Sequence, residues 1–169
     1  MDRLQANSFS ADYVVGLMSL PLRLGCFTEA AFGGEPYLKV EKQQMRHGIG
    51  VVWRGQPRHP NDLNRSMPGP DLLTSLPDAL FIEPQGDTMD SLVALSGLQA
   101  LVTVDTSWAH LGGAGGIETH VMLPYVAPDW RWGLNRPDTP WYTSVTLHRQ
   151  TAPGDWGSVL ASVRTAMNL

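Results

Sequence analysis

Apolar runs of strand length alternate with helical or polar segments over most of this chain. From Gly48 onward the almost unbroken apolar runs lie at 48–55, 79–86, 100–105 and 120–125. Segments with helical signals follow them or lie between them, at 67–78, 88–98, 106–116 and 155–167. Strands that are apolar on both faces are typical of parallel sheets with both sides covered. We therefore predict a Rossmann-like α/β fold, a parallel sheet with helices on both faces.

The first 45 residues do not share this regular alternation. The stretch 12–21 is apolar and rich in β-forming residues, and a segment punctuated by Gly, Pro and Glu follows it up to about Gln44. We predict one strand and a connector there, which is too little for a domain. The chain is accordingly divided into a 1–45 segment and a 46–169 domain.

Composition narrows the class of protein. With 43% hydrophobic and 17% charged residues among 169, the chain has the balance of a soluble globular protein with one core. A net charge of -4 argues against a general nucleic-acid binder, which needs a broad cationic surface. No apolar run is long enough for a membrane span, and the N-terminus lacks the plan of a secretion signal. We expect a cytoplasmic protein.

Positive charge is concentrated in one loop. Arg54, Arg58 and Arg65 follow directly on the first apolar run, together with His59. The guanidinium group offers a rigid fork of donors that suits phosphate oxygens, and ligands of such sheets bind beyond the carboxyl ends of the strands. This pattern predicts an anion site, and a solvated polar loop is the alternative.

A second candidate site lies where the run 100–105 meets a helix. If Asp105 is the N-cap, the backbone N–H groups of Thr106, Ser107 and Trp108 form an anion site at the positive end of the helix. His110 lies within reach of a phosphate oxygen or a leaving group. The glycines that follow predict a close approach of this helix to the sheet. The alternative is a simple helix cap with a structural histidine.

Other chemistry has less support. Trp130, Trp132 and Trp141 occur among prolines and arginines, which favours a structural role over a stacking wall for a sugar or base. The histidines lack compact metal-ligand spacing, so we expect no metal site. The chain has no Gly-x-Ser-x-Gly elbow, its GGAGG run is out of place for a dinucleotide fingerprint, and no motif supports a sugar-nucleotide epimerase.

Taken together, five segments resemble bacterial tetratricopeptide-repeat-associated glycosyltransferases related to the ADP-heptose:lipopolysaccharide heptosyltransferases. The segments are VVWRGQPRHPNDLNRS, VTVDTSWAHLGGAGG, LPYVAPDWRW, TPWY and HRQTAPGDW. The resemblance covers about three quarters of the chain, and the combination of motifs is more specific than any one of them. It implies the C-terminal, donor-binding half of a two-domain GT-B enzyme.

The resemblance also implies roles for individual residues. Asp105, Thr106, Ser107 and His110 would hold the donor diphosphate and the adjacent sugar, with Asp105 and His110 as the catalytic candidates. The loop residues that would flank the donor or match the family's loop are Arg54, Gly55, Gln56, Arg58, Asn61, Arg65 and Ser66. The nucleoside contacts would come from Glu83, Pro84 and Gln85.

In such enzymes an acceptor domain precedes this unit and usually supplies the catalytic base. Residues 1–45 resemble only the end of that domain, so we expect catalysis to require an acceptor domain. The expected substrate is a nucleotide-diphosphate sugar, without cofactor or metal, and the acceptor is a protein or saccharide. The alternative is a non-catalytic module that binds a partner or self-associates through its N-terminal segment.

Overall fold

A computed structural model describes residues 11–39, 48–69, 74–82 and 88–169. The chain divides into two compact units between Phe32 and Gly33. Among the described residues, none of the helices combines the length and apolar character needed to cross a membrane.

The described part of the first unit, residues 11–32, is made of short helical turns. A 3-10 helix at Leu17–Ser19 leads into α1 (Leu20–Arg23), and a second 3-10 helix covers Glu29–Phe32. The strand predicted over 12–21 is therefore wrong, since no strand occurs among these residues. Pro21 falls in the first turn of α1, where its missing N–H costs nothing, and β-forming residues become a strand only beside a partner strand.

The second unit is built on a five-stranded, fully parallel sheet in the order β2-β1-β3-β4-β5. Its strands are β1 (Ile49–Val52), β2 (Ala79–Phe81), β3 (Ala100–Val104), β4 (Thr119–Leu123) and β5 (Val145–Arg149). All residues of β1, β3 and β4 are buried. Their unbroken apolar character thus follows from cover on both faces, and the predicted parallel sheet is confirmed.

Strand β5 was not predicted. It pairs with β4 along its whole length, with Val145 and Leu147 in the core beside α4. Its pattern is interrupted by Thr146, His148 and Arg149, so it lacks the continuous apolar run that marks the other strands. A strand at the sheet edge with polar residues is recognised only when its partner is known.

Helices cover both faces of the sheet, as predicted. The face of Val102, Val104 and Met122 packs against α5 (Trp156–Ala166). The opposite face packs against α3 (Thr88–Ser96) and α4 (Ser107–Ala114). The predicted helix over 67–78 falls partly on 70–73, outside the described residues, and its described flanks contain only a 3-10 turn at 74–75.

Helix α4 lies unusually close to the sheet, and its glycines make this possible. A Cβ atom on Gly112 would overlap the side chain of Thr119, and one on Gly113 would overlap the ring of Tyr142. The predicted close approach is confirmed, and it holds the first turn of α4 in place at the carboxyl end of β3.

Candidate functional site

An open cleft of about 420 Å³ lies at the carboxyl ends of β1 and β3. Its volume is in the range of small-molecule sites. The loop after β1 forms one wall, and the first turn of α4 forms the other. These segments are more than 40 residues apart in sequence, and they meet because neighbouring parallel strands end at the same edge of the sheet.

The cleft brings together six of the residues predicted to bind a ligand. They are Arg54, Gly55, Gln56, Arg65, Thr106 and Ser107. Asp105, His110 and Arg58 are not among the described residues that line it. The predicted nucleoside contacts Glu83 and Gln85 lie outside the described residues. The binding role of each residue stays a prediction.

Helix α4 begins one residue later than predicted. Thr106 is the N-cap, with extended backbone angles and a side-chain oxygen that accepts the N–H of Trp108 at 3.3 Å. The prediction that Asp105 caps the helix is therefore wrong. Aspartate and threonine are both common N-cap residues. Here Thr106 caps the helix, and the Asp105 carboxylate has other partners.

Asp105 organises a turn that follows β4. One carboxylate oxygen accepts the indole N–H of Trp132 at 2.8 Å, and the other accepts the backbone N–H of Asp129 at 3.3 Å. Asp129 in turn caps the 3-10 helix Trp130–Trp132 by accepting the N–H of Arg131. The Asp-Trp-Arg-Trp segment is recognisable in the sequence, but its contact with Asp105 is not. No local signal marks such a pairing.

The first turn of α4 lines the cleft with Thr106, Ser107 and Trp108. The initial N–H groups of a helix have no intrahelical acceptor, and they carry the positive end of the helix dipole. Ser107, the first residue of α4, is exposed and lines the cleft. This wall is therefore suited to an anionic group.

The loop after β1 closes on itself through a compact set of hydrogen bonds. The Gly55 N–H donates to Ser66 Oγ at 2.8 Å, and the Ser66 hydroxyl donates to Asp62 Oδ1 at 3.0 Å. Arg65 donates to the same carboxylate oxygen and, at 2.9 Å, to the backbone oxygen of Asp105. A Cβ on Gly55 would come within 2.6 Å of Asp62 Oδ1 and of Arg65 Nη2. A side chain at this position would require the side chains of Asp62 and Arg65 to shift, and Arg65 acts as a strut between the two walls.

Arg54 stands at the rim of the cleft. Its side chain is exposed, and its guanidinium carbon lies 5.1 Å from the centre of the Trp53 ring. Trp53 itself packs against the core beside α5. A cation held over a ring in this way keeps its charge near one position without being removed from water.

The outer part of the same loop is tied to the loop after β4. The Asn61 amide donates to the backbone oxygens of Val126, at 3.3 Å, and Ala127, at 3.0 Å. His59 accepts the Asn61 N–H through Nδ1. Arg58 is exposed on this outer part and is not among the described residues that line the cleft, although its neighbour Pro57 is.

His110 lies on the side of α4 that faces the turn. Its ring stacks on Trp132 at 4.8 Å between centroids, and its Nδ1 is 3.1 Å from the Tyr142 hydroxyl. Burial, with a further contribution from Arg131, lowers the pKa of His110, while Asp105 and Asp129 act in the opposite direction. The imidazole is therefore neutral at pH 7 and held in one orientation.

Comparisons with known proteins give one similar structure. No family model matches the chain, and no curated protein matches its sequence. Among solved structures, the chain is similar to E. coli heptosyltransferase WaaC with ADP, at 13% identity and a TM-score of 0.46. The similarity covers 83% of this chain and 48% of that one, so this chain spans about half the length of that structure.

Proposed function

We propose that the α/β unit binds a nucleotide-diphosphate sugar and serves as the donor-binding half of a metal-independent GT-B glycosyltransferase. One observation carries the proposal: an exposed arginine and the open first turn of a helix line the same cleft at the carboxyl edge of a parallel sheet. Such a combination offers fixed positive charge and backbone donors to a diphosphate.

The same groups would stabilise the leaving group. When the bond between sugar and diphosphate breaks, negative charge develops on the diphosphate, and prearranged donors lower the energy of that transition state. In this proposal Arg54 and the N–H groups at Thr106 and Ser107 contact the phosphates. The acceptor, a protein or saccharide, binds to another domain that supplies the base.

We propose that Asp105 and His110 position other parts of the site. Their contacts with Trp132 support positioning roles, in which Asp105 fixes the turn after β4 and His110 braces the start of α4. A direct contact of either residue with the donor is a separate prediction. So are contacts of Arg58 with the phosphates and of Glu83 and Gln85 with the nucleoside.

Calorimetric titration of the full chain with ADP, UDP and GDP tests the proposal. We expect binding of at least one of them, weakened on the order of tenfold by Arg54→Ala, since a charge-assisted hydrogen bond contributes about 1.5–3 kcal/mol. Ser107→Asp is the sharper variant. A carboxylate at a helix N-terminus stabilises the helix but repels a phosphate. We therefore expect Ser107→Asp to weaken nucleotide binding at least as much as Arg54→Ala does, with no loss of protein stability.

Arg164→Ala is the matched control. Arg164 lies in the last turn of α5. Because a helix that follows a parallel strand runs back along the sheet, this turn is at the edge opposite the cleft. We expect unchanged affinity. Absence of binding by the wild type, or equal losses in Arg54→Ala and Arg164→Ala, would refute the proposal.

A second candidate function is a non-catalytic module for self-association or partner binding. The first unit supports it, because α1 buries none of its residues although two of the four are leucines. Light scattering of the full chain, with and without Leu20→Ser and Leu22→Ser, tests it. A larger assembly that dissociates in the double variant favours this candidate, and a monomer that binds nucleotide contradicts it.

A further inference from the structure

We propose that Trp130, with Asp129 and Arg131, forms a shelf for the sugar ring of the donor. The indole would stack on the C–H face of an uncharged pyranose, and the carboxylate and guanidinium would bind its hydroxyls. This inference rests on the proposed function, since it extends the donor site from the diphosphate to the transferred sugar.

The three tryptophans of this region have different environments. Trp132 is fully buried, which confirms the structural role predicted from sequence for this one residue. Trp130 is 60% exposed. Indole combines a broad apolar face with low conformational freedom, so an exposed tryptophan offers a flat surface on which a sugar ring can stack.

The exposed indole is held in a fixed orientation. The guanidinium carbon of Arg131 lies 5.4 Å from the centre of the Trp130 ring, and Trp141 meets Trp130 edge-on at 5.9 Å and 82°. Asp105 anchors the turn that carries Trp130, because its carboxylate accepts the indole N–H of Trp132 and the backbone N–H of Asp129. A binding surface that is already ordered loses little conformational entropy when a ligand arrives.

Polar groups suited to hydroxyls stand beside the ring. Asp129 and Arg131 form an ion pair at 2.6 Å, with side chains 31% and 33% exposed. A carboxylate has about four acceptor positions and a guanidinium five donors, so this pair has capacity beyond its mutual bond. Because the pair has no net charge, it suits a neutral sugar better than a sugar acid.

The order of the strands supports the placement of the sugar. A nucleotide sugar is a linear molecule, with its diphosphate between the nucleoside and the sugar. In the sheet, β3 lies between β1 and β4. The cleft extends from the start of α4, at the end of β3, toward the ends of β1 and β2, where Ile82 lies. If the nucleoside binds on the side of β1 and β2, the sugar points toward the end of β4. The loop after β4 carries the shelf, and Asp105 joins it to the start of α4.

Calorimetry with matched ligand pairs tests this inference: UDP against UDP-glucose, ADP against ADP-glucose and GDP against GDP-mannose. For the pair that binds, we expect the sugar to increase affinity by about tenfold in the wild type. Trp130→Ala should abolish this increase while the affinity for the diphosphate alone stays the same. Tyr125→Ala, which removes another exposed aromatic residue from the same loop, should change neither affinity.

Saturation-transfer NMR gives a second readout. Saturation transfer to the sugar C–H protons, relative to the nucleoside protons, should be strong in the wild type and in Trp130→Phe and clearly weaker in Trp130→Ala. The inference is overturned if the sugar adds no affinity, if Trp130→Ala weakens both ligands equally, or if a free oligosaccharide binds Trp130 without nucleotide. Absence of binding by all the diphosphates would instead overturn the proposed function, and the shelf with it.

Discussion

The two loops beside the start of α4 differ in how they use their polar groups. After β4, the carboxylates of Asp105 and Asp129 bind an indole, two backbone N–H groups and a guanidinium, around the buried ring of Trp132. After β1, the exposed Arg54 and the first turn of α4 line an open cleft. One side of the same sheet edge is thus largely satisfied from within, and the other presents charge and donors to solvent.

This difference separates residues that hold the site, such as Asp105 and the buried Trp132, from exposed residues that would contact a ligand. Removing a group from the satisfied side leaves buried partners without their hydrogen bonds or packing, which reduces stability. Removing an exposed group of the cleft, such as Arg54, should reduce binding but hardly affect the fold, whereas Arg65 also joins the two walls.

Trp132→Ala should have the largest effect on stability. It removes a fully buried indole from the core that contains Tyr142 and Leu147. We expect a loss of about 3–5 kcal/mol in the free energy of unfolding, measured by urea denaturation. Trp130→Ala is the control and should cost less than 1 kcal/mol. Equal losses in the two variants would contradict the division.

Acid should destabilise the scaffold through a polar cluster remote from both loops. His120 Nδ1 is 2.9 Å from His148 Nε2, and His148 Nδ1 is 2.8 Å from Ser162 on α5. Burial, with a further contribution from His120, lowers the pKa of His148 to about 4. Burial also lowers the pKa of His120, although Glu118 opposes this shift. The two imidazoles share one N–H proton in their hydrogen bond. An additional proton would place a positive charge on this buried pair, so the folded state disfavours its binding.

The sign of the effect follows from these pKa values. Between pH 6.5 and about 4 the unfolded chain binds more protons than the folded chain, so stability falls as the pH falls through this window. We expect a loss of roughly 2 kcal/mol from pH 7 to pH 4.5, measured by urea denaturation at each pH. His148→Gln should make this loss smaller. An unchanged pH dependence in that variant would exclude the pair as its cause.

Asp105→Ala should have an intermediate effect. It leaves the indole N–H of Trp132 and the backbone N–H of Asp129 without their acceptor. We expect a loss of about 1–3 kcal/mol in the free energy of unfolding. Asp105→Asn, which keeps one oxygen acceptor, should lose less. If Asp105→Ala proves as stable as the wild type but fails to bind nucleotide, the positioning role is wrong and direct ligand contact is favoured.

Arg54→Ala should have the smallest effect on stability. The side chain is exposed, and one of its contacts is with the face of Trp53. We expect a change within about 0.5 kcal/mol in the free energy of unfolding. Thermal unfolding with and without nucleotide sharpens the test, since the variant should lose the shift that bound nucleotide gives the wild type. A large loss of intrinsic stability would place Arg54 on the structural side of the comparison.

Local pattern was sufficient for most of the sheet and for the two walls of the cleft. The runs at β1, β3 and β4 are unbroken because both faces are covered, and a polar loop or helix start follows each one. The same reasoning failed for the stretch 12–21, whose β-forming residues have no partner strand among the described residues 11–32. It also missed β5, whose polar residues are accommodated by neighbours distant in sequence, such as Ser162 beside His148.

The order of apolar runs along the chain is enough to predict the α/β class and the segments that reach the carboxyl edge, since apolar periodicity is a local property. Tertiary structure alone decided what each side chain does there. Asp105 and Thr106 are equally suited to cap α4, and the indole of Trp132, 27 residues away, settles the choice. Likewise His110 turns toward Trp132 because the glycines of α4 fix how the helix lies on the sheet. Such outcomes depend on packing between distant segments, which no local pattern contains.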